Sequence, residues 1–297
     1  MSGAWCVDTL INLSPTDPVM RGVWSSGPTD TWVVGARPGT IGILDAGGFA
    51  FHWDGCTWTQ STLSITGGLQ DVWGSAPTDV WAVGDQGTAL HWNGSAWSSV
   101  PTGTTTAGLR TISGTAGNDV WTIGNEGALH WNGSAWSAVP GLPAVPAGNT
   151  FLGDVWAVAP NNVWAALGIP DSLAHFDGTA WTTIATQPVA FGFFGIWADA
   201  TTGWAVGEGL QIRQLVGGTW TQVQAPGGSS EGYTNVMSQG GETYFIGQEV
   251  AHGTGGAIPQ ADSTVPSGSY QGLWMTSSQV WMAGITNNAA VVIHRAR

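Results

Sequence analysis

Short apolar runs of period two alternate along this chain with clusters of Gly, Pro, Asn, Asp and Ser. The stretch "DVWGSAPTDVWAVGDQGTALHWNGSAW" (71–97) resolves into four such runs, each closed by turn residues. Strict alternation over four to eight residues predicts β-strands, and no segment carries a helical period. "NG" or "DG" between the third and fourth runs predicts a tight hairpin, because Asn, Asp and Gly tolerate positive φ. The template returns at 118–136 as "NDVWTIGNEGALHWNGSAW". In all, seven copies align on Trp24, Trp73, Ile112, Trp156, Trp197, Met237 and Trp274, spaced by 49, 39, 44, 41, 40 and 37 residues.

Each copy predicts four antiparallel strands, a to d. A unit of about 40 residues that cannot bury both faces alone, repeated seven times, predicts an all-β, seven-bladed β-propeller. The expected blades run approximately 21–60, 70–100, 109–139, 153–184, 194–223, 234–265 and 271–297. The last copy stops after strand c, while the chain opens with "SGAWCV", which matches the strand-d sequence "GSAWSSV". Residues 3–10 are therefore expected to complete the seventh blade beside Val291 to His294, which ties both ends into a single domain spanning 1–297 and leaves no open edge there. All 20 Trp residues fall on template strands. Large indoles suit a wedge that widens between diverging sheets.

Composition narrows the partners. The chain has 297 residues, 46 of them Gly, and 8% are charged; there are six Arg and no Lys against 19 acidic residues, giving a net charge of −13. Phosphate-backbone recognition needs clustered cations, so nucleic acid is excluded as a partner. No run reaches the roughly 18 apolar residues of a membrane helix, so membrane insertion is not expected. No signal peptide is visible at the start, although the Lys-free, polar, Trp-rich composition favours a secreted or cell-surface setting. Cys6 and Cys56 allow one disulfide or two thiols. No zinc spacing, phosphate loop, GxSxG or HExxH stands in the chain, so neither metal nor cofactor is expected.

The pattern "DVWAVG…G…LHW(N/D)G…W" resembles the Trp-rich repeats of bacterial, notably myxobacterial, secreted and surface propellers. More distantly the chain is similar to seven-bladed bacterial lectins. That likeness implies sugars held in Trp-lined pockets, though no lectin residue is carried over.

Repeated positions carry the candidate chemistry. His52, His91, His130 and His175 each stand six residues before a strand-d Trp, with His294 and His252 at the same place; Gln214 replaces them in the fifth copy. One His per blade spreads around a ring and does not converge on a metal. A structural network with the Asp before strand b (Asp30, Asp79, Asp119) is expected instead, as in WD-repeat propellers. Trp53, Trp92, Trp131 and Phe176 sit at the c–d hairpins, where an aromatic ring either stacks on a sugar or packs on the strand-d Trp. The sixth copy lacks Trp and gathers Tyr233, Tyr244 and Tyr270; Tyr233 and Tyr270 join the candidate ligand-binding set.

The a–b and c–d turns are short and uniform, whereas the b–c and d–a connections on the opposite face vary widely. Varied loops on a rigid scaffold incline binding to that face. The function expected is a non-enzymatic propeller binding carbohydrate or another small neutral ligand. The rivals are a hydrolase, lyase or cyclase with an axial pocket, using Glu231, Tyr233, His252 or Asp171, and a protein-interaction scaffold.

Overall fold

The computed structural model describes residues 4–9, 19–37, 47–105, 108–143, 153–168, 172–185, 192–224, 232–287 and 289–297. The fold is an all-β seven-bladed propeller with seven four-stranded antiparallel sheets. In chain order, β1 (Cys6–Thr9) precedes the first blade, which is formed by β2 (Val19–Gly27), β3 (Asp30–Ala36), β4 (Gly48–Trp53) and β5 (Trp58–Gln60). The second holds β6 (Leu69–Ala76), β7 (Asp79–Gly84), β8 (Ala89–Trp92) and β9 (Trp97–Ser99). The third holds β10 (Leu109–Ala116), β11 (Asp119–Gly124), β12 (Gly127–Trp131) and β13 (Trp136–Val139); the fourth β14 (Val155–Ala159), β15 (Asn162–Leu167), β16 (Ser172–Phe176) and β17 (Trp181–Ala185). The fifth has β18 (Phe193–Ala198), β19 (Thr202–Gly207), β20 (Ile212–Val216) and β21 (Thr219–Gln222), the sixth β22 (Tyr233–Gln239), β23 (Glu242–Gly247), β24 (Val250–Thr254) and β25 (Gln260–Ala261). β26 (Ser269–Met275), β27 (Gln279–Thr286) and β28 (Ala289–Ala296) make the seventh blade, whose outer strand is β1.

That pairing is the predicted clasp. β1 runs antiparallel to β28 with Cys6 opposite His294, Val7 opposite Ile293, Asp8 opposite Val292 and Thr9 opposite Val291. Cys6 and Cys56 are both free and exposed.

The hairpins form where the sequence put them. Gly94 has φ +93°, a left-handed conformation that a side chain disfavours. A Cβ there would also lie 2.7 Å from Cγ2 of Thr78, so the c–d hairpin seats directly on the a–b turn. Inner strands approach as closely: a Cβ on Gly22 would sit 2.8 Å from the Cα of Asp71 in the next sheet. In five sheets the inner strand carries an extra residue at Arg21, Gln70, Phe194, Thr234 or Gln271, where the ladder to strand b shifts register. A bulge of this kind re-aims the side chain it inserts.

The chain divides into two compact units, Met1–Leu109 with Ser263–Arg297, and Arg110–Asp262. In both, the strand-b aromatic is buried and the following sheet closes over it. In the first unit, Trp32 lies 5.0 Å from both Trp92 and Trp97, and Trp281 lies 6.2 Å from Trp58. In the second, Trp121 lies 4.9 Å from Phe176 and 5.9 Å from Trp181, Trp164 lies 5.5 Å from Trp220, and Trp204 lies 5.3 Å from Phe245. Tilted and edge-on arrangements dominate, as ring quadrupoles favour. On the inner strands, Trp274 Nε1 donates to the Ser25 carbonyl and Trp156 Nε1 to the Ala198 carbonyl, each at 2.8 Å, so these indoles also stitch neighbouring sheets. The tryptophans recur because the same wedge recurs.

Candidate functional site

The histidines are each held inside a blade. His52 Nε2 lies 2.7 Å from Asp30 Oδ1, His91 Nε2 2.6 Å from Asp79 Oδ1, and His130 Nε2 2.7 Å from Asp119 Oδ1. The second carboxylate oxygen accepts a hydroxyl from Ser26, Ser75 or Thr115. In the fourth blade Asn162 replaces the acid, at 2.9 Å from His175. In the sixth Glu242 stands 3.9 Å from His252, and in the seventh Asp8 of the clasp stands 3.5 Å from His294. Every imidazole stacks on the strand-b ring of its own blade (Trp32, Trp81, Trp121, Trp164, Tyr244 or Trp281), with centroids 4.2–4.4 Å apart and planes within 15–29°. Burial alone would raise the Asp119 carboxyl; hydrogen bonds from His130, Thr115 and Trp121, with the imidazole charge, outweigh it and hold the group below its usual range.

The hairpin aromatics divide into two kinds. Trp53, Trp92 and Trp131 are half-buried. Each sits directly across the c–d hairpin from a strand-d indole, with ring centroids 5.5, 5.8 and 5.9 Å from Trp58, Trp97 and Trp136. Trp53 Nε1 donates to the Pro28 carbonyl and Trp131 Nε1 to that of Gly117. Around them lie the exposed side chains of Asp54, Thr57, Asn93, Ser95, Asn132 and Ser134. Phe176, by contrast, is buried beneath Trp121 and offers no open face. Tyr233 and Tyr270 are only 2% and 1% exposed. Burial pushes both phenols up to about 12, Tyr233 with help from the charge of Glu249, and Tyr270 donates its hydroxyl to the Pro266 carbonyl. These three rings, expected among the ligand contacts, are buried in the core. Glu231 and Asp171 lie outside the described residues.

A third group was not among the expected residues. The bulges of the first two blades bring Arg21 and Gln70 together, Arg21 donating to Gln70 Oε1. Gln70 Nε2 donates to Asp85 Oδ1 at 3.0 Å, and Asp85 Oδ2 accepts the Gly68 N–H at 3.2 Å. Asp85 is held there by a single 3-10 turn (Asp85–Gly87) in the b–c connection, with Gln86 at φ 59°. A charge, an amide and a carboxylate thus form one chain at the face of varied connections. In the second unit Asp154 accepts the Thr111 hydroxyl and the Val155 N–H on Oδ1 and the Ile196 N–H on Oδ2, joining β10, β14 and β18.

Although Asp154 keeps part of its residue surface, protein packed around the carboxyl raises its pKa to about 6 against these three donors. Between its ordinary value of 3.8 and about 6 the folded chain holds this proton and the unfolded chain does not. Stability therefore falls as pH rises through that window, and the penalty is complete above it. Burial shifts His175 and His294 in the opposite sense, below the usual imidazole range, with Asp177 and Asp8 opposing; their contribution is lost as pH falls. The difference between wild type and Asp154→Asn isolates the carboxyl. Urea titrations at pH 4 and pH 7 are expected to show the variant losing less stability than wild type across this range, by up to about 3 kcal/mol. Parallel profiles would remove the carboxyl from the account.

No family model and no curated protein matches the chain. Among solved structures, a catalytically inactive virginiamycin B lyase from Staphylococcus aureus, determined with quinupristin, is similar at TM-score 0.77 and 13% identity over 98% of this chain and 99% of that one. YCF48 bound to D1 peptide is similar at TM-score 0.71 and 17% identity, covering 100% of this chain and 99% of its own. The WD40 propeller domain of Doa1 is similar at TM-score 0.71 and 12% identity, over 97% and 96%. At these identities the likeness establishes the propeller fold and no activity.

Proposed function

We propose that the chain is a non-enzymatic binding propeller and that its ligand is carbohydrate. One observation carries this reading: three equivalent hairpins each set a half-buried strand-c indole, Trp53, Trp92 or Trp131, against a strand-d indole and beside exposed neutral or acidic hydrogen-bonding side chains. Indole faces stack on the C–H faces of sugars, while amides and hydroxyls exchange hydrogen bonds with sugar hydroxyls. Repetition of one weak subsite on one scaffold favours a polymeric or multivalent glycan. The resemblance of the repeats to Trp-rich bacterial propellers, and more distantly to lectins, leans the same way. An enzyme needs ionisable groups that converge on substrate. Here the six histidines, the most versatile proton carriers, are committed one by one to stacks inside their blades.

A glycan array followed by tryptophan-fluorescence titration tests the reading. Wild type is expected to retain a subset of glycans with a saturable emission change. The double substitution Trp92→Ala with Trp131→Ala is expected to weaken retention at least tenfold while circular dichroism stays native. A folded wild type that retains no glycan would sink the proposal. The second reading, a protein-interaction scaffold, draws on two structural neighbours, YCF48 bound to D1 peptide and the WD40 propeller domain of Doa1. It predicts binding that survives the double substitution and depends on the Arg21–Gln70–Asp85 face.

A further inference from the structure

Strand c of the fifth blade departs from the repeat. Where the second blade reads Ala89-Leu90-His91-Trp92, the fifth reads Ile212-Arg213-Gln214-Leu215. The registers match: Leu90 pairs with Ala82 and Arg213 with Ala205. Both are interior, at 4% and 5% exposure, so an arginine occupies a leucine's place. Its guanidinium carbon lies 6.0 Å from the centre of the buried Phe193 ring. Among the described residues Arg213 makes neither a hydrogen bond nor an ion pair. Other arginines are engaged: Arg21 with Gln70, Arg297 with the Thr276 carbonyl, Arg295 over Trp5.

A buried charge is costly unless a counter-charge meets it, and burial draws the Arg213 pKa down. Guanidinium does not give up its proton in a protein, so the charge persists. With no acceptor for them among the described residues, the guanidinium N–H groups suit a planar anion, which such a fork grips with two parallel bonds. Arg213 is the second residue of β20, next to the b–c connection, and so belongs to the end of the blade away from the c–d hairpins. Local departures from a repeat's own rule concentrate where function constrains the residue.

We propose that Arg213 anchors a binding site for a carboxylate-bearing ligand at the varied-loop end of the fifth blade. The site is separate from the indole hairpins and stands whether or not those bind sugar. The test is thermal unfolding of the full chain in sodium acetate, sodium succinate or sodium phosphate against sodium chloride of equal ionic strength. Arg213→Leu is the control, since leucine fills the same position in the second blade and the fold accepts it. Acetate and succinate are expected to raise the wild-type midpoint saturably; at a hundred times its dissociation constant such an anion shifts the folded-to-unfolded ratio about a hundredfold. Arg213→Leu is expected to show no anion response and to be at least as stable as wild type in chloride. An equal anion response in the variant, or none in wild type, overturns the site. So does a variant much less stable in chloride, which would mean that the guanidinium pairs inside the fold. A response to phosphate alone overturns the carboxylate assignment.

Discussion

Trp121→Ala is expected to cost the protein about 4 kcal/mol, the range of large aromatic truncations in packed cores. The ring is 1% exposed, with His130 stacked on it, Phe176 and Trp181 packed against it from the next sheet, and Asp119 accepting its Nε1 hydrogen. Its removal empties one inter-sheet wedge and takes a hydrogen bond from a carboxylate that is itself nearly buried. Urea denaturation should show a lower midpoint at unchanged slope. A loss below about 1 kcal/mol would mean that the sheets collapse onto the gap and that the indoles are not what holds neighbouring blades together.

The second large effect concerns the clasp. Deleting residues 1–9 takes away the outer strand of the seventh blade, four register pairs with β28, the Asp8 contacts to His294 and Trp58, and the Trp5 ring beneath Arg295. At about 1 kcal/mol for each ladder residue, the expected loss is about 4 kcal/mol. The bare edge of β28 should also pair with other molecules, so light scattering is expected to rise with concentration. A synthetic peptide of residues 3–10 should restore both properties. A truncated chain that melts like wild type and stays monomeric would show the strand to be dispensable.

Much of this architecture is legible in the sequence, for identifiable reasons. Strands stand out because Gly, Asn, Asp and Pro bracket each apolar run, and "NG" or "DG" fixes the hairpin. The clasp is legible because Trp5 repeats the setting of Trp97. What period-two patterning does not reveal is which residue of one sheet faces which residue of the next. The bulge positions Arg21, Gln70, Phe194, Thr234 and Gln271 carry four different residue types, so no repeated residue announces the polar group built on the first two. Asp154 gives no sign that it will span three inner strands. Tyr233 and Tyr270 look like polar rim residues by type, yet they stand four places before Met237 and Trp274, where other copies carry Met20, Leu69 and Phe193, all buried. Asp8 as the partner of His294 was hidden because the partner arrives from the other end of the chain.

The hairpin turns have a chemical consequence. In the first four blades a side-chain oxygen of the c–d turn accepts its backbone N–H groups: Asn93 Oδ1 and Asn132 Oδ1 accept from the backbone N–H groups two and three residues on, and Asp54 Oδ1 and Asp177 Oδ1 do the same. The other terminal atom is an amide nitrogen in two turns and a carboxylate oxygen in the other two, and the backbone is alike in all four. The backbone of the turn thus accommodates either charge state at its tip, although Asp54 Oδ2 also accepts the Thr57 hydroxyl and the turn donors hold both the Asp54 and Asp177 carboxyls below their usual range. Exchanging Asp54 and Asp177 for Asn would erase two of the thirteen net negative charges, and colloidal behaviour could be retuned while the architecture stands still.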